Sequence, residues 1–245
     1  MATVTAHANE SDTRTSVIQR FWRWLPHGGQ LPEDEWRRRH RAISVVLWLQ
    51  LPILLAVGIG NGRSQIEIIG DLAVVTACAL LGFAPTRQAK TFFVSLGLLF
   101  SSAALVHLTG GLIEAHFHFF VMLGLVALYQ EWIPYLSSVA FVVLHHSIIG
   151  TIWPQAAYEH RAAQRDPFLW ALVHAAFFLG QIAVQVTVWK FLEQYQARMR
   201  AHEHAERRAL EAELELVGER RHRDYLENAV YELSHWKDLE HRRAD

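Results

Sequence analysis

Residues 91–113 read TFFVSLGLLFSSAALVHLTGGLI and residues 115–130 read AHFHFFVMLGLVALYQ, and neither stretch holds an Asp, Glu, Lys or Arg. A hydrocarbon core roughly 30 Å thick needs about 20 apolar residues in a helix rising ~1.5 Å per residue. Residues 42–62, 132–158 and 168–189 are equally free of these charges. A soluble fold can bury one or two such segments, but five or six in series predict an integral membrane protein. At 51% hydrophobic and 19% charged, the 245-residue chain looks ordinary on average. The average conceals a segregation, because the charges crowd into the stretch after Gln194.

The expected fold class is all-α. Spans are placed at about 42–62, 68–86, 91–111, 113–130, 133–153 and 167–190, the second being short. Three parts follow: a cytoplasmic N-terminal segment (1–41), a six-helix transmembrane sensor domain (42–190) and a cytoplasmic signalling helix (191–245). Residues 1–13 are polar and are expected to lack order, and no cleavable leader is expected. Within 14–25, Val17, Ile18, Phe21, Trp22 and Leu25 recur at helical spacing among arginines, which suits a helix lying on the bilayer surface or docked under the bundle. Arginines 37, 38, 39 and 41 directly precede the first span and place it with a cytoplasmic N-terminus. Six crossings then return the C-terminus to the cytoplasm of a bacterial inner membrane. The single cysteine, Cys78, excludes an intrachain disulfide, and a net charge of -1 gives no reason to expect nucleic acid.

From about residue 187 no proline interrupts a helix to the C-terminus, and Leu210, Leu214, Val217, Leu226, Val230 and Leu233 follow 3–4 spacing. The reading is a homodimeric coiled coil, with a solvated, salt-bridged helix as the bland counterpart.

Ionisable groups inside a span are costly and point to function. His107, His116, His118, His145, His146 and His174 fall within the spans, with Glu114 beside them. His107 and His118 each lie four residues from their span's end, about 6 Å deep, and His146 and His174 seven residues, about 10 Å deep. Consecutive spans alternate direction, so these ends share one membrane face and the imidazoles form one layer. Neutral imidazoles in a dry site make a ligand set for copper, iron or haem b; the alternatives are a metal-free polar network that senses protons or a small ligand, and structural hydrogen bonding alone. His116 and His118 are about 200° apart on a helix, so both cannot face one centre. Around the six, Glu114 is open between ligand, proton acceptor and solvated residue. Met122 is a thioether donor or packing, and Gln181 extends a polar stripe. Gly110 and Gly111 loosen the start of the fourth span.

The stretch HLTGGLIEAHFHFFVM at 107–122, with ALYQEW at 127–132 and VLHH at 143–146, resembles the N-terminal membrane input regions of certain GGDEF-type diguanylate cyclases, sensor histidine kinases and chemoreceptors. The likeness extends over about residues 27–195. It implies functional positions at His107, Gly110, Gly111, Glu114, His116, His118, Tyr129, His145 and His146, without settling their ligand. Such proteins continue into an output domain, and no GGDEF, kinase or chemoreceptor-hairpin pattern occurs here. The chain is therefore expected to be non-enzymatic itself, with a cytoplasmic signalling partner or a further domain reading the helix. The rival class is a metal- or haem-dependent membrane oxidoreductase. Against it, no span carries two histidines 13 or 14 residues apart, as stacked haems require, and the groupings are HxH and HH, unlike those of di-iron hydroxylases.

Overall fold

The computed structural model describes residues 19–29, 31–153, 158–159 and 161–244, with the backbone alone at 234, 235 and 237–244. Six main helices run in order: α1 (Glu33–Gly60), α2 (Gln65–Leu81), α3 (Arg87–Thr109), α4 (Ile113–Ala127), α5 (Trp132–Ile152) and α6 (Pro167–Ala244). A five-residue helix, Arg161–Arg165, precedes α6. No strand occurs among the described residues. Of the expected surface helix, residues 19–24 are helical with Phe21, Trp22 and Trp24 exposed. Residues 1–18 lie outside the described residues.

Local chemistry sets the ends. Pro32 precedes α1, whose first turn holds Glu33, Asp34 and Glu35 against the positive end of the helix dipole. Ser64 and Glu67 form a reciprocal capping box on α2, and Thr86 accepts from the Ala89 N–H on α3. Gly110 and Gly111 then stand at φ 76° and 83°, in the left-handed region. The Gly111 N–H reaches back to the Val106 carbonyl, so the pair ends α3 and turns the chain into α4.

Four helices, α1, α3, α5 and α6, are long and apolar enough to cross a bilayer. α4 is apolar but has 15 residues, and α2 has 17 and carries Glu67 and Asp71. At ~1.5 Å per residue both fall short of a 30 Å core. Six full crossings, as the sequence suggested, therefore exceed what helix length alone supports. The outer surface is that of a membrane protein: Leu49, Ile53, Phe117, Leu136, Leu172, Phe177 and Val184 are all exposed, a belt that water would not tolerate.

α3 is the central post and packs on α1, α2, α4 and α5. Leu47 and Leu54 of α1, Val75 of α2 and Leu98 and Leu99 of α3 are fully buried there. Gly97 permits the approach, since a Cβ on it would stand 2.9 Å from both Cys78 Cβ and Leu47 Cδ2. Gly97→Val should overpack this contact and lower unfolding free energy by about 1–3 kcal/mol. Thermal unfolding in detergent checks it, and a melt equal to wild type would show that α1 and α2 can simply move apart.

The helices divide into a compact unit ending at Phe191 and a second beginning at Leu192. In the second, α6 stands as a lone helix with Leu210, Leu214, Val217, Leu226, Val230 and Leu233 all exposed. Its charged flanks pair along the helix, as Glu203 does with Arg207 at 2.6 Å.

Candidate ligand site

Three histidines from three helices meet. The ring centroids of His116 (α4), His146 (α5) and His174 (α6) form a triangle with sides of 5.4, 5.5 and 5.8 Å. Each ring folds back over its own preceding turn, and its Nδ1–H donates to the carbonyl four residues earlier. The acceptors are Leu112 at 3.0 Å, Val142 at 2.9 Å and Trp170 at 2.8 Å. A neutral ring that gives its Nδ1 proton to a carbonyl keeps its lone pair on Nε2. The backbone thus fixes all three tautomers in the same sense.

Tyr158 closes the triangle from the loop side. Its ring lies parallel to His116 at 6.0 Å and 6.2 Å from His174, and it is buried. Gly150 makes the space, since a Cβ there would meet the Tyr158 hydroxyl at 3.1 Å. The next residue, Glu159, donates its N–H to the Gly111 carbonyl at 3.1 Å, tying this loop to the α3–α4 corner. Burial raises the Tyr158 phenol above its ordinary range, so it stays protonated. Its hydroxyl is buried with no hydrogen-bond partner among the described residues, a state that calls for a ligand or water.

Beside the triad lies a cavity of about 260 Å³ between α4, α5 and α6. The three imidazoles and Ser147 supply its polar lining, and Phe119, Phe120, Val142, Phe178 and Ile182 are among its apolar walls. The arrangement can accept hydrogen bonds or coordinate through nitrogen, with no charged side chain on the wall. Among the described residues, no group of three or more His, Cys, Asp or Glu is arranged to hold a metal ion.

The chain is 32% identical over 213 residues to the Transducer protein Htr8 of Halobacterium salinarum, an alignment covering 81% of this chain. It spans 33% of that relative. No protein-family model matches the chain, and no solved structure matches it.

The remaining histidines are not corners of the triangle. His145 packs between, its ring 5.3 Å from both His146 and Phe119, and its Nε2 is buried with no partner among the described residues. It lines a second cavity of about 510 Å³ together with Asp71, His107 and Trp153. His107 is bonded there to the Asp71 carboxylate at 2.8 Å, with Glu67 3.9 Å away. His118 turns to the other side of α4 and meets Ser102 of α3 at 2.8 Å. The six histidines thus divide into the triad, His145 beside it, a histidine–carboxylate pair and a histidine–serine pair.

Met122 is buried in the apolar core, and Glu114 is exposed at the start of α4. Gln181 is half-buried outside the cavity wall; its neighbour Gln185, one turn on, accepts from the Tyr135 hydroxyl at 2.7 Å. Tyr129 lies beyond the opposite end of α4, 13 residues or ~20 Å of helix from His116. It bonds His40 Nδ1 at 2.9 Å.

Sequence reasoning passed over Asp71 and Tyr158. The rule that singled out the histidines applies equally to Asp71, a carboxylate inside the second predicted span. Tyr158 gave no such signal, because an aromatic residue at a span's end reads as an interface anchor.

Proposed function

We propose that this chain is the membrane input region of a signal-transduction protein. A stimulus binds at the triad cavity, and α6 carries its effect toward the cytoplasm. One observation carries the reading: His174, a corner of the triad, stands on the same uninterrupted helix that runs on to Ala244. A ligand that draws His116, His146 and His174 together must move α6 against α4 and α5, and a helix transmits such a shift along its length. The likeness to a transducer supports it. In this reading the six helices all cross or enter the inner membrane with both termini cytoplasmic, α2 and α4 being accommodated by local thinning or tilt. The exposed seam of α6 pairs with that of a second copy, and the paired helices present themselves to a signalling partner.

Cysteine cross-linking in native membranes tests both halves. Leu214→Cys in a Cys78→Ser background should give a disulfide-linked dimer, and His174→Ala should change its yield at least about twofold by altering the pairing of α6. Absence of the dimer would remove the paired helix. An unchanged yield in His174→Ala would separate the triad from the output.

The ring spacing favours a second reading, a copper or iron ion on the triad. A metal–nitrogen bond of ~2.0–2.1 Å puts a ring centroid about 3.2 Å from the metal. A triangle with the observed sides has a circumscribed circle of about that radius. The ligating atoms do not converge as the rings stand, so an ion would require them to swivel. A haem b fits less directly, because the third ring would occupy the plane the macrocycle needs between the other two. Elemental analysis and an absorption spectrum of purified protein decide: stoichiometric copper or iron supports the ion, a Soret band the haem, and neither result removes this reading.

A further inference from the structure

We propose that the triad cavity takes an uncharged ring compound bearing a hydroxyl donor, a phenol or a hydroquinone, which enters from the lipid between α5 and α6. This rests on the triad cavity being the stimulus site and treats the imidazoles as metal-free.

Four features of the cavity fix the ligand class. The first is size: its volume of about 260 Å³ compares with the ~150 Å³ of an apolar cavity that holds benzene. A single ring with short substituents fits. The second is charge. No Asp, Glu, Lys or Arg lines it, so a charged ligand would lose its hydration uncompensated. The third is access. Val143 and Leu179 line the cavity yet are 52% and 64% exposed, on the lipid-facing sides of α5 and α6. The mouth therefore opens sideways into the hydrocarbon, and the ligand arrives already dissolved there.

The fourth feature is hydrogen-bond polarity. His146 and His174 both give their Nδ1 protons to backbone carbonyls, which leaves each neutral ring an acceptor at Nε2. The partner must donate. A hydroxyl does so, whereas an ether or a quinone carbonyl cannot. At His146 and His174 a hydroquinone is therefore favoured over its quinone, whose carbonyls would have to turn to a hydroxyl such as that of Ser147, and the site would report the redox state of a lipid-soluble pool with no electron passing through the protein.

The test uses the full chain in detergent, with its copper and iron content measured first, titrated calorimetrically with 4-ethylphenol and with 4-ethylanisole. The two share ring and ethyl group, but the anisole lacks the donor hydrogen. Expected is saturable one-to-one binding of the phenol and at least about tenfold weaker binding of the anisole, equivalent to ~1.4 kcal/mol. His174→Phe should cost the phenol a similar factor. Val143→Trp, which fills the mouth from the lipid side and does not disturb the core, should do the same with an unchanged thermal melt. Equal affinity for the two probes, no binding of either, or stoichiometric copper or iron in the wild type would each overturn the proposal. None of these outcomes touches the cross-linking result, so the input-region reading stands or falls separately.

Discussion

Trp189→Ala is expected to lower the unfolding free energy of the membrane unit by about 3–5 kcal/mol, the range for emptying a buried large aromatic site. Trp189 is 2% exposed, near the cytoplasmic end of the apolar part of α6 in the proposed topology. Its ring lies 4.7 Å from that of Trp132 and 6.2 Å from that of Tyr135, both on α5. The N-terminal segment closes over this pair. The Pro26 carbonyl accepts from Trp132 Nε1 at 3.0 Å, the Leu25 carbonyl from Lys190 Nζ at 3.3 Å, and Gly28, at φ 78°, has no room for a Cβ between Trp132 and Trp189. The collar therefore cannot collapse onto a missing indole, and the cavity term should be felt in full. Urea or thermal unfolding followed by circular dichroism measures the effect, with Trp189→Phe as the milder control. A loss below about 1 kcal/mol would mean that the collar is loosely packed.

The second large effect is expected at Arg87, at the start of α3. Its Nε donates to Glu131 at 2.9 Å and its Nη1 to the Leu31 carbonyl at 3.2 Å, and the guanidinium lies 5.1 Å over the Trp36 ring. One side chain thus ties together the segment before α1, the head of α3 and the α4–α5 turn. The Glu131 side chain is only 13% exposed, so Arg87→Met leaves a carboxylate shielded from water and unpaired. Breaking a fully buried pair costs about 3–5 kcal/mol. The Arg87 side chain is 28% exposed, and water will screen part of that, so about 2–3 kcal/mol is expected. Glu131→Gln in the same background should recover a good part of the loss. A double-mutant cycle with no coupling between the two positions would show that Arg87 acts through Leu31 and Trp36 alone.

Much of the architecture was legible because the features that encode it are local. Uninterrupted apolar runs give helices, Ser64 with Glu67 gives a helix start, and Gly110-Gly111 gives a stop that only left-handed backbone satisfies. Depth was also legible, since a fixed rise per residue converts position in a span into height. It set His107, His118, His146 and His174 at comparable heights. It failed to say that His107 and His118 would turn elsewhere. Height is a property of one helix, but bearing around the axis is set by how a helix is rotated against its neighbours. α4 and α5 are apolar nearly all round, so their periodicity has no preferred face. Span lengths were overestimated for the same reason that caps are hard to place, because the apolar composition continues through Leu128 and Tyr129 after α4 has ended at Ala127.

By itself the sequence determined that this chain is helical, that its helices are apolar enough for a membrane, that histidines stand within its apolar runs and that a charged helix follows the last of them. Tertiary structure alone decided that three of those histidines form a triangle beside a cavity, that Asp71 takes His107 and Ser102 takes His118, and that Tyr158 caps the site. The reason is physical. Apolar runs and caps act through neighbours in the chain, whereas Asp71 and His107 are 36 residues apart and meet only once packing around α3 has fixed the rotation of every helix.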